Sequence, residues 1–410
     1  MTPTDRPALH DFVAGAHDRQ TALLAALVRM PSDNPPGDCA SHAEHTAVLL
    51  EQLGFTVERH AVPADLVQAQ GMRSVTNLVV RRRFGAGGPV VALNAHGDVV
   101  PPGAGWTADP YGAELRDGWM YGRGVAVSKS DIATYAFAML ALEHAGAGLR
   151  GTVELHVTYD EETGGEIGPL WLLQQGISRP TLAIGAGFSY AVTEAHNGCL
   201  HLEVEVGGRS AHAARPWTGI DALEGATRIL AALYAWRPGL AARVSAIPGI
   251  GAPQLTVGLI DGGINTNVVP DRVTFRLDRR IVPGEQPDAV EAELRALIEA
   301  AGAEIAGVQT QVRRILLAAP LTPLPGGAAL TALLCAHASR VMGEPIRPGG
   351  VPLYTDARHY AAAGVPIVLY GAGPHSIEEA NAHRADERLR LADLFKATEV
   401  VALTLADLLA

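Results

Sequence analysis

The chain has 410 residues, 48% of them hydrophobic, which exceeds one ordinary core and predicts two domains, one interrupted by the other. The formal net charge of -11, with 32 Lys plus Arg against 43 Asp plus Glu, gives no electrostatic support for nucleic acid or an anionic membrane as partner and favours a small molecule. Cys39, Cys199 and Cys335 stand far apart in no metal-ligand spacing and read as reduced buried thiols of a cytoplasmic protein, and no signal peptide or membrane span is evident.

In chain order, apolar residues at helical spacing predict a helix over 9–29, stopped by the PSDNPPGD loop at 31–38, and a second helix over 40–54. Three β-rich runs follow at 55–62, 74–84 and 89–100, the last almost wholly apolar up to its polar end. A helix at 131–147, a strand at 152–162, a helix at 167–175 and a strand at 181–187 then alternate, the pattern of a layered α/β core with a central mixed sheet. From about 195 the order becomes strand 200–208, helix 219–236, strands 254–263 and 271–280, helix 287–302 and strand 307–315. That order is a split βαβ sandwich, read as a smaller inserted α+β domain. The first domain resumes with helix 326–342, strand 366–371 and helix 391–409. The expected division is 1–194 and 317–410 for the interrupted domain and 195–316 for the insert.

Two strand ends carry the chemistry. In HGDVVP at 96–101, His96 and Asp98 lie two apart on one strand face, where a carboxylate can orient an imidazole that binds a metal. As a bare pattern this also fits a His satisfied by its neighbour. In YDEETGG at 159–165, Asp160, Glu161 and Glu162 crowd together and need a cation or a shared proton. A solvated acidic turn before a helix N-terminus would look the same.

Further segments decide between these readings. Trp106, Asp109-Pro110, Asp117-Gly118 and Tyr121-Gly122-Arg123-Gly124 follow the first cluster. Gly207-Gly208-Arg209-Ser210-Ala211-His212, Asn267-Val268-Val269-Pro270-Asp271 and Asp278-Arg279-Arg280 follow the second, then Thr355-Asp356-Ala357-Arg358 and Ala382-His383-Arg384-Ala385-Asp386-Glu387. In order and spacing, from the first helix to the last, the chain resembles the M20 metallopeptidase family of deacylases, desuccinylases, aminoacylases and carboxypeptidases. The resemblance implies a catalytic domain carrying two metals, usually zinc, interrupted by a lid domain that often dimerises. It implies His96 and His383 as terminal ligands on different metals, Glu162 as co-ligand of His383, Glu161 as general base and Asp98 as the orienter of His96. His212 would stabilise the oxyanion, and Asn267 and Arg280 would contact a substrate carboxylate.

The chain departs from the family pattern twice. Val127 stands where a carboxylate usually bridges both metals, and Ala186 where an Asp or Glu ligand is usual. Both losses strip the metal of His96, so the expectation is one divalent ion per chain (zinc, manganese or cobalt) held by Glu162, His383 and a third group, with His96 and Asp131 as candidates. The expected function is metal-dependent hydrolysis of a C–N bond, amide or amine, in a small carboxylate-bearing substrate, by a homodimer joined through the lid. The alternatives are an aryl-amine aminohydrolase with a mononuclear site, a degenerate binding protein, and metal-free hydrolysis built on Ser128, Lys129 and Asp131 near Glu161.

Overall fold

In the computed structural model, which describes residues 6–145 and 148–410, the apolar runs become neighbours in one eight-stranded mixed sheet. Its order is Val57–Ala61, Thr76–Phe84, Gly151–Thr158, Val90–His96, Leu182–Gly185, Ile367–Leu369, Val192–His196 and Pro348–Val351. Thr76–Phe84 runs antiparallel to both of its neighbours, and the central strands, Gly151–Thr158 to Ile367–Leu369, run parallel. Strands buried on both faces read as continuous apolar runs, which is why Val91 to His96 are all buried. The expected strand at 89–100 ends at His96, and residues beyond it are loop.

Helix Lys129–Ala145 lies under this sheet with every side chain from Lys129 to Leu142 buried, as expected of a helix apolar all round. It packs on the strands Val90–His96 and Gly151–Thr158 and on helices Pro7–Gly15, His17–Arg29 and Leu391–Leu408. Positions 146 and 147 of the expected helix lie outside the described residues. The single helix expected over 9–29 is two helices meeting at Ala16, whose N–H bonds the Val13 carbonyl.

The chain forms two compact units: Met1–Glu194 with Pro323–Gly349 and Thr355–Ala410, and Ala195–Thr322 with Gly350–Tyr354. The second holds a four-stranded antiparallel sheet in the order Leu255–Gly262, Arg272–Ile281, Gly198–Gly207, Gln309–Ala318. Strand alternation divides its residues cleanly. Leu200, Leu202, Val204, Val206, Val273, Phe275 and Leu277 pack with Ile229, Leu233, Leu294 and Ile298 of helices Ala222–Trp236 and Pro287–Gly302. The opposite face carries Glu203, which pairs with Arg276 and Arg313, and Glu205, which pairs with Arg272.

Phe275 is fully buried in this second core. Phe275→Ala should therefore lower unfolding free energy by about 3–5 kcal/mol in urea melts, through lost burial and the cavity left behind.

Candidate metal centre

The parallel pairing of Val90–His96 with Gly151–Thr158 sets His96 beside Thr158, so both polar segments leave the sheet at the same end. The Gly97 N–H donates to the Thr158 carbonyl at 2.8 Å, and a Cβ on Gly97 would fall 2.4 Å from the Tyr159 ring. Only glycine fits that close approach. The next residues, Asp160 to Thr163, turn back through one short 3-10 turn over Glu161–Thr163.

The turn gathers His96 and the two glutamates. One ligand-type atom from each of His96, Glu161 and Glu162 lies within 4.8 Å of the others, and His96 Nε2 stands 3.9 Å from Glu161 Oε2. On the other side, His383 Nε2 is 3.5 Å from Glu162 Oε1. His383 sits in the left-handed region at φ 61 and its side chain is 55% exposed, so it meets Glu162 from the solvent side. Asp98 is fully buried behind His96, whose Nδ1 is 2.9 Å from the Asp98 carbonyl and 3.3 Å from Oδ1. With Nδ1 so held, Nε2 is left toward the glutamates.

Several partners of this cluster had no strong signal in the sequence. Asn34 Nδ2 donates to Asp98 Oδ2 at 2.9 Å, and the Glu162 N–H donates to the same oxygen at 3.2 Å. Asn34 lies in the proline-rich loop, where turn chemistry hides a long-range role. Asp356 is buried, and Arg358 reaches the Gly164 carbonyl.

Five carboxyls, Asp98, Asp160, Glu161, Glu162 and Asp356, thus act on one another, with His96 and Arg358 as the nearby cations that offset them. Burial pushes the Glu161 carboxyl up to about 8; His96 opposes the rise, and Glu162 and Asp98 add to it. Asp160 and Asp356 are pushed well above the carboxylate range by burial and by their acidic neighbours. For His96, burial lowers its pKa, but Glu161, Asp98 and Glu162 outweigh it and hold the imidazole well above its ordinary value. Asp160 Oδ1 and Asp356 Oδ2 have no hydrogen-bond partner among the described residues. A donor set of one nitrogen and several oxygens with surplus negative charge fits a divalent cation.

Residues 92–407 match the family model of Peptidase family M20/M25/M40. The chain belongs to this family. It is 29% identical to the succinyl-diaminopimelate desuccinylase of Gluconacetobacter diazotrophicus, with 100% of this chain and 99% of that one covered. It is 28% identical to the acetylornithine deacetylase of Myxococcus xanthus, covering 88% and 90%. In fold it is similar to an M20 metallo-carboxypeptidase from Sulfolobus solfataricus, with a TM-score of 0.77, 16% identity and coverage of 95% and 99%. It is also similar to a dinuclear metal-binding M20 peptidase from Bacillus subtilis, with a TM-score of 0.70, 16% identity and coverage of 97% and 99%. This M20 protein is a metal-dependent hydrolase acting on amide bonds of small substrates.

Val127 of this M20 chain is partly buried and packs against the main core. Its loop is shaped by backbone amides instead of by a side chain at 127. Fully buried Glu387 accepts from the N–H groups of Gly124, Ala126 and Val127 at 3.1, 3.0 and 3.2 Å and from Arg123 Nη1 at 2.7 Å. The Val127–Ser128 peptide in this loop is cis.

Asp131 does not fill the gap. It is buried in the first turn of helix Lys129–Ala145, and its Oδ1 accepts from the Ala372 N–H at 2.8 Å, so it ties two segments of backbone together. Nor do Ser128 and Lys129 form a nucleophile pair. Ser128 Oγ bonds the backbone N–H and carbonyl of His96 at 3.0 and 3.1 Å, while Lys129 Nζ donates to the Leu27 and Met30 carbonyls. Both side chains are thus committed to backbone partners.

His212, Asn267 and Arg280 belong to the second unit. His212 bridges to Val268, and the Ala213 N–H bonds the Asn267 carbonyl at 3.0 Å, so His212 and Asn267 share one exposed loop pair. Arg280 pairs through Nε with Asp278 Oδ1 at 3.1 Å.

Without a cation, the folded site holds more protons than the unfolded chain, because the pKa of both Glu161 and His96 is raised. The His96 contribution is present below its ordinary value of 6.5 and lost as pH rises through its raised folded value. For Glu161, ionisation costs stability across the interval from 4.5 to about 8. In chelator, the stability of Glu161→Gln relative to the parent should therefore grow as pH is raised through that interval. Urea melts at stepped pH measure it, and a difference independent of pH would contradict the assignment.

Proposed function

We propose that this chain hydrolyses the amide of an N-acylated amino acid or a comparably small carboxylate-bearing substrate, using one divalent ion at its hydrolytic site. The observation that carries this reading is the convergence of His96, Glu161 and Glu162 next to buried Asp98, Asp160 and Asp356, beside a loop in which the resemblance puts the bridging position at Val127. The curated relatives, a desuccinylase and a deacetylase, support the acyl-amino-acid class.

His96, Glu162 and His383 would hold the ion, of the zinc, manganese or cobalt class. When bound, it supplies Lewis acidity, polarising the amide carbonyl and bringing the pKa of a water towards ~7. Glu161 then accepts the proton of the attacking water and delivers it to the departing amine. Burial pushes its pKa up in the metal-free site, and a cation beside it would oppose that rise and favour the carboxylate form that accepts a proton. Asp98 keeps His96 in one tautomer and orientation, and is itself held by Asn34 and the Glu162 amide.

His212, Asn267 and Arg280 take the roles the resemblance implies: stabilising the oxyanion for His212 and binding the substrate carboxylate for the other two. His212 Nδ1 accepts from the Ala214 N–H at 3.1 Å, which puts the proton of the neutral ring on Nε2 and makes that atom a donor. We also read the second unit as the homodimer contact. Its edge strand Leu255–Gly262 exposes Leu259 at 63% and Ile260 at 55%, with Ile264 just beyond at 79%. A long apolar edge of this kind invites a second copy.

The test is a panel of N-succinyl and N-acetyl amino acids assayed before chelation, after it, and after metal is restored. Glu161→Gln should lower kcat by about 10²–10⁴-fold while keeping its metal. Glu162→Ala should lose one ion per chain relative to the parent. Inertness of the metal-loaded parent across the panel would contradict the reading, and loss of two ions would contradict the mononuclear form. His212→Ala should lower kcat by ~10²–10³-fold. Ile260→Lys should shift the sedimenting species from dimer to monomer.

A further inference from the structure

The second unit contains another cluster of metal-ligating side chains. Cys199 and His201 stand two apart on strand Gly198–Gly207, so both project from the same sheet face, the one opposite Leu200 and Leu202. On the neighbouring strand, Asp278 is the direct partner of His201 and Arg280 the partner of Cys199. Farther along this face each acid meets an arginine: Glu203 meets Arg276 and Arg313, and Glu205 meets Arg272. At the Cys199 end the pattern changes to sulfur, imidazole and carboxylate.

Three atoms converge there. Cys199 Sγ is 3.1 Å from His201 Nε2, His201 Nε2 is 3.0 Å from Asp278 Oδ2, and Cys199 Sγ is 3.7 Å from Asp278 Oδ2. The same ring nitrogen faces both the thiol and the carboxylate. A nucleophile relay uses the two ring nitrogens separately, one toward the nucleophile and one toward the acid. With the ring proton directed at Asp278 Oδ2, the thiol is left to donate to the same carboxylate oxygen over a long 3.7 Å. A cation in the middle serves all three. Tetrahedral zinc with ordinary Zn–S, Zn–N and Zn–O lengths sets its donors roughly 3.3–3.6 Å apart, close to the triangle observed.

We infer that Cys199, His201 and Asp278 form a second cation site, distinct from the His96–Glu161–Glu162 cluster, for a thiophilic divalent ion of the zinc class. A thiolate, a carboxylate and a neutral imidazole balance a charge of +2. Cys199 is fully buried, while the His201 and Asp278 side chains are 35% and 30% exposed, so the ion enters from the solvent side and keeps a fourth position for water or a small ligand. Arg280 Nε, 3.1 Å from Asp278 Oδ1, orients the carboxylate and leaves Oδ2 turned to the other donors. The soft sulfur selects zinc or cobalt over manganese or magnesium.

The test is cobalt titration of the chelated full-length protein, followed by the near-ultraviolet thiolate-to-cobalt charge-transfer band. The band should saturate by two equivalents, one for each proposed site, disappear in Cys199→Ser, and be displaced by zinc but not by manganese. Asp278→Asn, at a partly exposed position, should retain the fold and weaken cobalt binding ~10-fold or more. His383→Ala should leave the band in place, which separates this site from the hydrolytic one. A parent protein without the band, a band that survives Cys199→Ser, or unchanged affinity in Asp278→Asn would overturn the inference.

Discussion

Mutual repulsion among buried and half-buried carboxyls at the end of strand Gly151–Thr158 is the constraint on which the rest of the site depends. Asp160, Glu161 and Glu162 leave that strand together, and Asp98 and Asp356 face them. Such a group can stay folded only with bound protons or a bound cation. The parallel register that puts His96 beside Thr158 supplies the nitrogen donor, and the fixed Asp98–Asn34 pair behind it keeps that donor aimed. The sheet, in this sense, is the frame that forces like charges into one place.

The loop after Arg123 is held by its backbone. Glu387 accepts from the backbone amides of Gly124, Ala126 and Val127 and from the Arg123 guanidinium, so backbone contacts hold the path of residues 123–127. Arg123 and Glu387 are each about 1% exposed, and removing either would leave its partner charged and buried. The valine is then free to pack on the core. Asp131, one turn further on, is committed to the Ala372 amide and has no role as a substitute.

Much of this was legible in the sequence. Strand runs such as 89–100 and 152–162 were visible because strands buried on both faces are nearly all apolar, and the inserted sheet because strand, helix, two strands, helix, strand is a recognisable order. His96, Glu161 and Glu162 were legible because two strand ends interrupt apolar runs with polar clusters. Less visible were contacts between residues far apart in the chain. Asn34 lies 64 positions before Asp98, its hydrogen-bond partner, and sits in a loop whose prolines and glycine dominate the local signal. Short strands such as Val192–His196 and Pro348–Val351 carry too few residues for periodicity to register. Cys199 showed no metal-ligand spacing because its companions are one residue beyond its neighbour and on the adjacent strand; only register brings Asp278 to them.

The most direct measurement is anomalous diffraction from crystals of the Cys199→Ser protein loaded with zinc or manganese. One peak within ligand distance of His96 Nε2, a Glu162 oxygen and His383 Nε2 is the predicted result. No peak there under any loading, or two peaks ~3.5–4 Å apart as in two-metal sites, would contradict the account.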